Sequence, residues 1–527
     1  MLLTRAESTG FRETSLHADV MAFVAALEAR ADPRLVVTQF GTSPGGRALP
    51  LLVLSKTGVR TPDEARRLGL PIVLMLDGIH PGEVEGKEAS LALVRDLLDG
   101  TDDLLEHLTL LVVPLFNPDG NDALDPANRR LDLAKLEGQI GPIVGTRTQS
   151  QNINLNRDYL RQQAAEMRCL QAGVCIPWAP DLTIDNHATN GSVHRFQMTV
   201  DVPHTLASGR AEPIAFMRDR VVPDVIAAVR ARGFESGWYG NFAEDERSLD
   251  AGEDARPDQP VREGWLTYPH HPRFGSNYRG LTNRLDVLLE CYSYLPFEER
   301  VQTASAWQWA LLHWVAGHGD DVRQIVATSQ RPPEQVAIRY RPIASGEVDI
   351  LTRSPRTLEG APITVRLPHI GRFEGTKVVH RPLAYAVPRA VGEHLVRHGL
   401  TVEKASGTRV VQVATIESLG AETGRKILEA GAVGEVSVSW KQESRELPEG
   451  YALVPTDQPL GAIAVYLCEP ESDDGVVENH VLEAQAIGSQ FPIWRVLASL
   501  GGRRATHDRL GVATVSPRRA AAARNWR

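Results

Sequence analysis

The residues of this chain best suited to chemistry lie in a few short stretches. Gly78-Ile79-His80-Pro81-Gly82-Glu83 sets an imidazole and a carboxylate three positions apart, just past the apolar run Pro71–Asp77. At that spacing one turn of chain offers a nitrogen and an oxygen ligand to a single divalent ion. A catalytic zinc takes three protein ligands and keeps one position for water. Asn117-Pro-Asp-Gly120, Asp185-Asn-His187 and Glu290 each stand at or just past a further apolar run. His187 is the candidate third ligand. Asp119 and Asp185 are candidates for accepting the outer ring N–H of a metal-bound histidine. Glu290 follows Leu285–Leu289, where an unpaired carboxylate is costly unless it has a role. A general base toward water activated by a metal is such a role. In Asn154-Leu-Asn-Arg-Asp-Tyr159, Arg157 with Asn156 beside it offers parallel donors to a substrate carboxylate.

Each of these patterns alone is weak. An HxxE arises by chance in a long chain, and Asn-Pro-Asp-Gly is a good turn by itself. Most of the sixteen histidines, His270, His271 and His380 among them, read as structural or exposed. The joint placement carries the argument, because the carboxyl ends of strands form the ligand-binding rim of an open α/β sheet.

The elements that must position these groups follow from periodicity. Ser15–Arg30 reads as an amphipathic helix with Ser15 as a possible cap. Leu35–Gln39 and Leu49–Leu54 read as paired strands around the turn Gly41–Arg47. Continuous apolar runs at Pro71–Leu76, Leu108–Leu115, Asp181–Asp185 and Arg284–Leu289 alternate with helical patterns at Glu85–Leu98, Pro213–Arg232 and Glu298–Gly317. Near-continuous apolar strands between helices indicate an α/β domain with a largely parallel sheet covered on both faces. Asn241–Gly264 is acidic and reads as an exposed loop, and Ser329–Glu334 as a linker. Beyond it, short alternating runs such as Val336–Tyr340, Ile363–Leu367, Val410–Val413 and Val436–Trp440 predict a mostly antiparallel region with one helix near Arg389–His398. The expected division is a catalytic domain over 1–325, a mostly-β accessory domain over 335–515 and a basic tail over 516–527, with no internal repeat.

At 527 residues the chain is too long for one compact core. Its net charge of −9, with no long basic block, argues against nucleic acid as the main partner. The four cysteines, Cys169, Cys175, Cys291 and Cys468, make no disulfide framework and no CxxC; a Cys169–Cys175 bridge is feasible, and unpaired thiols are the expected state. No apolar run reaches the roughly 18 residues of a membrane span, and the first residues lack the apolar core of a signal peptide. The expected location is therefore cytoplasmic, or exported with a leader removed.

These stretches together resemble the carboxypeptidase A-like zinc carboxypeptidases, peptidase family M14. Gly41–Arg47 is similar to the family's early Gly-x-Ser-x-x-Gly-Arg turn, His80–Glu83 to its HxxE, Asn117–Gly120 to its NPDG and Asn156-Arg157 to its carboxylate clamp. His187 stands where the third ligand does and Glu290 where the catalytic glutamate does. The resemblance spans about residues 10 to 320. The second half is similar to the C-terminal extension of large bacterial members, through Arg381–Pro388 and Tyr466–Gly475.

The resemblance implies an α/β/α sandwich around a mixed, mostly parallel sheet, with one Zn2+ per chain held by His80, Glu83 and His187. It implies that Glu290 activates the metal-bound water and that Asn156 and Arg157 grip the C-terminal carboxylate of a peptide or protein. It assigns an oxyanion-stabilising arginine after the NPDG turn, with Arg129 and Arg130 as alternatives. It assigns a mobile tyrosine before Glu290, with Tyr268 ahead of Tyr278, and a specificity wall within Phe274–Asn283. One departure stands out: many members carry an arginine directly before the zinc glutamate, where this chain has Gly82. The competing readings are a zinc deacylase of small N-acyl amino acids of the aspartoacylase type, a cell-wall peptide hydrolase, and a non-catalytic peptide-binding domain.

Overall fold

The computed structural model describes residues 2–189, 191–248, 263–419 and 436–499. The basic tail and most of the acidic stretch after Ser248 lie outside the described residues. The central sheet has eight strands in the order β1-β2-β4-β3-β5-β10-β6-β7. They are β1 (Leu35–Thr42), β2 (Ala48–Leu54), β3 (Ile72–Leu76), β4 (Thr109–Val113), β5 (Leu182–Thr189), β6 (Met198–Asp201) and β7 (Ser236–Trp238); the short β8 (Asn241–Phe242) and β9 (Trp265–Leu266) belong elsewhere, and β10 (Leu285–Tyr292) returns to the centre. β4, β3, β5 and β10 run parallel; β1 pairs antiparallel with β2 and β2 with β4, and β6 pairs antiparallel with β10 but parallel with β7. This is the mixed α/β sheet that the resemblance implied, with the parallel centre that the apolar runs indicated.

Alternation along the strands decides what each face meets. Leu52, Leu54, Val73, Met75, Leu110, Val112, Leu182, Ile184, Val287 and Leu289 point to one face. There they pack against the helices His17–Glu28, Glu85–Asp99, Val222–Arg230 and Phe297–Gly317. Leu51, Val53, Leu74, Leu76, Leu111 and Val113 point to the other face and join one core with Tyr159, Leu170, Tyr278 and the apolar residues of the region after 335. On that second face β5 and β10 depart from the apolar rule: side chains two apart bring Thr183, Asp185, His187 and Asp286, Leu288, Glu290 to the same side. The register pairs Glu290 with His187 and Leu288 with Asp185.

Some local expectations change. Ser15 is not a helix cap; its hydroxyl donates to Glu88 at 2.9 Å, and the helix begins at His17 with the Asp19 carboxylate accepting from the Leu16 amide at 2.9 Å. The helix expected over Pro213–Arg232 is interrupted by a wider turn at Met217–Val221 just before Pro223, which has no N–H to give the ladder. Asn241-Phe242, placed in a loop by composition, form the buried strand β8 paired with β9. The cysteines are all unpaired, as expected.

The region after 335 carries a six-stranded antiparallel sheet and a two-stranded one. A third sheet joins its hairpin Glu347–Ser354/Ala361–Ile370 to β9 and β8. Its described residues hold two helices, the expected one at Arg389–Arg397 and a second at Gly461–Cys468. Every residue of the second helix is buried, so it lacks the polar face by which a helix announces itself in sequence. Among the described residues no helix is long and apolar enough to cross a membrane.

The helix Glu85–Asp99 starts two residues after Glu83, and a buried ion pair fixes that start. Arg300 Nη1 donates to Glu85 at 2.9 Å and Nη2 to the Ile140 carbonyl at 3.0 Å. Arg300→Met leaves the Glu85 carboxylate buried and unpaired, and is expected to cost about 3–5 kcal/mol of unfolding free energy. The double variant Glu85→Leu/Arg300→Met is expected to regain most of it. Denaturant unfolding of the two variants measures both.

Candidate active site

Beyond β3 the chain turns sharply at Gly78, whose φ of 67° lies in the left-handed region and where a Cβ would meet Leu115 Cδ1 at 2.9 Å. The turn is buttressed from β4: the Asn117 amide donates to Gly78 O at 3.1 Å, and the Asn117 side chain accepts from Gly120 at 3.0 Å. His80 and Glu83 thereby project beside His187 of β5. Glu83 Oε1 lies 3.1 Å from His80 Nδ1, Glu83 Oε2 lies 2.8 Å from His187 Nδ1, and the two Nδ1 atoms are 3.2 Å apart. All three side chains are buried.

The outer ring nitrogens fix how the inner ones are presented. His80 Nε2 lies 3.0 Å from Asn154 Oδ1, and His187 Nε2 lies 3.0 Å from Asp185 Oδ1. An oxygen acceptor at each Nε2 keeps the proton there and turns the Nδ1 lone pairs inward, toward each other and the Glu83 carboxylate. Three electron-pair donors converging on one buried point repel one another and fit a divalent cation between them. Two imidazoles and one carboxylate form a catalytic zinc set. The same field shows in the titration. Burial alone disfavours charge on Glu83, but His80 and Arg129 beside it hold its carboxyl well below the usual range. Burial also works against a proton on His187, yet Asp185 and Glu83 outweigh it and raise its affinity for positive charge.

Asp185 is in turn held by Arg279, from the helix Gly275–Leu281 that lies over this face. The Arg279 guanidinium binds Asp185 and Asp286 and donates to the Tyr159 hydroxyl at 2.9 Å. Asp119, the other outer candidate, does not reach a histidine. Its carboxylate accepts from Ser43 Oγ at 2.8 Å, Gly45 N at 2.7 Å, Arg47 Nη1 at 2.9 Å and Ser150 Oγ at 2.8 Å. It therefore ties the Gly41–Arg47 turn and the loop leading to Asn154 to the NPDG turn, one step behind the metal ligands.

The triad opens into a cavity of about 100 Å³. Glu290 lines it, partly open to its interior but otherwise enclosed by protein; burial first, and then the neighbouring Glu83, push its carboxyl up to about 8 against the pull of His187. A cation at the triad acts in the opposite direction and favours the ionised form. Asn156, Arg157, Tyr268 and Arg129 line the same pocket. Arg130 does not; it is exposed, facing away. Tyr278 is also elsewhere, buried with its hydroxyl 2.8 Å from His398 Nδ1. Phe274 and Ser276, from the stretch expected to form the wall, line the pocket with Tyr239 and Leu288.

Sequence reasoning missed Arg147, whose Nη1 lies 3.3 Å from both Glu83 Oε1 and His80 Nδ1. It sits in a loop without periodicity and carried no signal. Gly82 is explained by Arg129. A Cβ on Gly82 would fall 2.4 Å from Arg129 Cδ and 2.6 Å from its Nε. The stem of Arg129 thus occupies the space of a side chain at 82, and its guanidinium reaches Glu83.

Residues 20–172 match the family Peptidase_M14, zinc carboxypeptidase. Carboxypeptidase 2 of Trichophyton rubrum is 23% identical over 483 residues, 86% of this chain and 81% of that protein. Carboxypeptidase 2 of Trichophyton tonsurans is 22% identical over 471 residues, with the same coverage of 86% and 81%. Among solved structures, the metallo-carboxypeptidase of Burkholderia cenocepacia is 19% identical, covering 58% of this chain and 70% of its own at a TM-score of 0.39. That of Pseudomonas aeruginosa is 20% identical, covering 57% and 69% at a TM-score of 0.37. The sheet and the converging His-Glu-His set fit a metallohydrolase. The family match over residues 20–172 and the carboxypeptidase relatives support an M14 zinc carboxypeptidase.

The outer partners are expected to govern metal retention. Asn154→Ala and Arg279→Met should each lower zinc affinity roughly 10–100-fold, measured by competition with a chromogenic chelator. His187→Ala should abolish stoichiometric binding, and unchanged affinity in all three would remove the triad as the zinc site.

Proposed function

We propose that the protein is a zinc-dependent carboxypeptidase that hydrolyses the last peptide bond of a substrate with a free C-terminal carboxylate. The observation that carries this reading is one pocket holding the His80–Glu83–His187 triad, Glu290 and the Asn156–Arg157 pair together. His80, Glu83 and His187 would hold one zinc ion, which when bound supplies a Lewis acid for the scissile carbonyl and for water.

The chain's own groups do the rest. Arg157 takes the terminal carboxylate through parallel donors, with Asn156 beside it; Asn156 is itself held by the Gly275 amide, which donates to its Oδ1 at 2.8 Å. That grip sets the last peptide bond against the triad. Glu290 accepts a proton from the attacking water and passes it to the leaving amine nitrogen. Arg129 is the arginine that stands to offset negative charge developing on the carbonyl oxygen, since it and not Arg130 reaches the pocket, and Arg147 adds a second positive group. Tyr268 closes one wall; its hydroxyl now donates to Val202 O at 3.0 Å.

Charge also bears on preference. Among the described residues the lining includes Arg129, Arg147 and Arg157, and its carboxylates are Glu83 and Glu290, both assigned to the metal and the proton. Tyr239, Tyr268, Phe274 and Leu288 give an apolar wall. Peptides ending in neutral, apolar residues are the proposed substrates, and those ending in lysine or arginine are disfavoured.

Mass spectrometry of a mixed peptide pool with zinc-loaded protein tests the reading. Stepwise loss of C-terminal residues is expected, sparing basic termini. Glu290→Gln should keep one zinc per chain and lower kcat by roughly 10²–10⁴-fold; near-normal turnover would refute its role. Arg157→Ala should raise KM about 10–100-fold for free-acid peptides, the worth of a hydrogen bond to a charged group, and leave C-terminally amidated ones nearly unchanged. Zinc binding without cleavage of any peptide, but with release of small N-acyl amino acids, would replace this reading with the deacylase.

A further inference from the structure

Among the described residues, the region after residue 335 contributes no group to the pocket lining, yet two of its carboxylates reach the loop that forms the pocket wall. The turn Glu469–Gly475 follows the buried helix Gly461–Cys468 and carries Asp473 and Asp474. Asp474 is fully buried. Its Oδ2 accepts from the Arg273 amide at 2.8 Å, its Oδ1 lies 2.9 Å from Arg273 Nη2, and Asn479 Nδ2 donates to Oδ1 at 3.1 Å. Asp473 Oδ2 lies 2.8 Å from His270 Nε2, and its Oδ1 accepts from the Tyr466 hydroxyl at 2.6 Å. His270, His271 and Asp473 also form a loose group with ligand atoms within 4.8 Å. Both Asp473 oxygens are already engaged, which favours an ion-paired strap over a second metal site.

The strapped loop touches the carboxylate clamp on its other side. Phe274 follows Arg273, and its ring centroid lies 3.8 Å from Cζ of Arg157. Gly275, the next residue, donates its amide to Asn156 Oδ1 at 2.8 Å. The Arg273 carbonyl accepts from the Tyr159 amide at 3.4 Å, two residues past Arg157. Three successive loop residues are thus fixed to Asp474 at one end and to Asn156, Arg157 and Tyr159 at the other. A guanidinium resting on an aromatic face takes its plane from that ring. Moving the ring moves the two donors that must meet a carboxylate.

We infer that Asp474, with Asp473 beside it, is a positioning residue for the C-terminal carboxylate clamp: the accessory region holds the loop that orients Arg157 and Asn156. This rests on the proposal that Arg157 binds the substrate carboxylate. It gives the second half of the chain a part in substrate recognition without placing any of its atoms on the substrate.

The test is calorimetric binding to the full-length, zinc-loaded Glu290→Gln protein, using one short peptide as the free acid and as the C-terminal amide. Asp474→Asn is expected to weaken the free acid roughly tenfold, as misplacement of a positioning group does, and to leave the amide and the zinc content unchanged. In an Arg157→Ala background the same substitution should add much less than in the parent, because most of its effect passes through Arg157. Equal losses for acid and amide, or full additivity with Arg157→Ala, would overturn the inference and leave Asp474 a stabilising residue only. If Asp474→Asn does not fold, His270→Gln, which cuts the Asp473 tie along with the ring contacts of His270, decides: an acid-specific loss supports the inference and its absence overturns it. If Arg157→Ala itself treats acid and amide alike, the clamp falls, and this inference with it.

Discussion

Burial of charge on one face of the central sheet is the constraint from which the rest follows. Thr183, Asp185 and His187 of β5 stand beside Asp286 and Glu290 of β10, where neighbouring strands carry leucine and valine. Carboxylates in such a place survive only if they are neutralised. Arg279 does this for Asp185 and Asp286 below, and His80, His187, Arg129 and Arg147 surround Glu83 above. The array runs from the sheet interior to the pocket mouth, so the candidate metal ligands are the open end of a charge system rooted in the core. The buried members Asp185, Asp286 and Glu83 each have an opposite charge within reach.

The same logic explains why motifs far apart in sequence occur together. The Gly41–Arg47 turn, the NPDG turn and the loop before Asn156 share one carboxylate, Asp119. Through Ser150 and Asn154 that carboxylate stands behind His80. A change in any one of these turns reaches the candidate ligand His80 along hydrogen bonds whose acceptors, Asp119 and Asn154, are buried.

Legibility in the sequence followed physical period. The apolar runs of β3, β4, β5 and β10 were readable because strands buried on both faces are apolar throughout, and the residues just past them marked the rim. His80, Glu83, His187 and Glu290 were found by that rule together with the family resemblance. Which arginine enters the pocket was not legible, since Arg129 and Arg130 are neighbours in a loop with no repeat to orient them. Arg147 and Arg279 act through tertiary contacts with residues tens of positions away, and nothing local marks them. The helix Gly461–Cys468 and the strand Asn241-Phe242 escaped for opposite reasons, one apolar on all sides and the other embedded in an acidic stretch.

Arg129 has one more consequence. Its backbone lies in the left-handed region, at a φ of 49°, and the Gln139 amide closes the loop onto its carbonyl at 2.9 Å. A non-glycine residue in that region carries strain of about 1–3 kcal/mol and persists only where its surroundings impose it. An arginine at position 82 would ride on the same turn as Glu83, and metal geometry and charge placement would change together. Here the charged group arrives on a separate backbone, across a glycine that makes way for it. The charge beside Glu83 and the turn that presents Glu83 are thereby carried by two separate segments, which meet only through side chains.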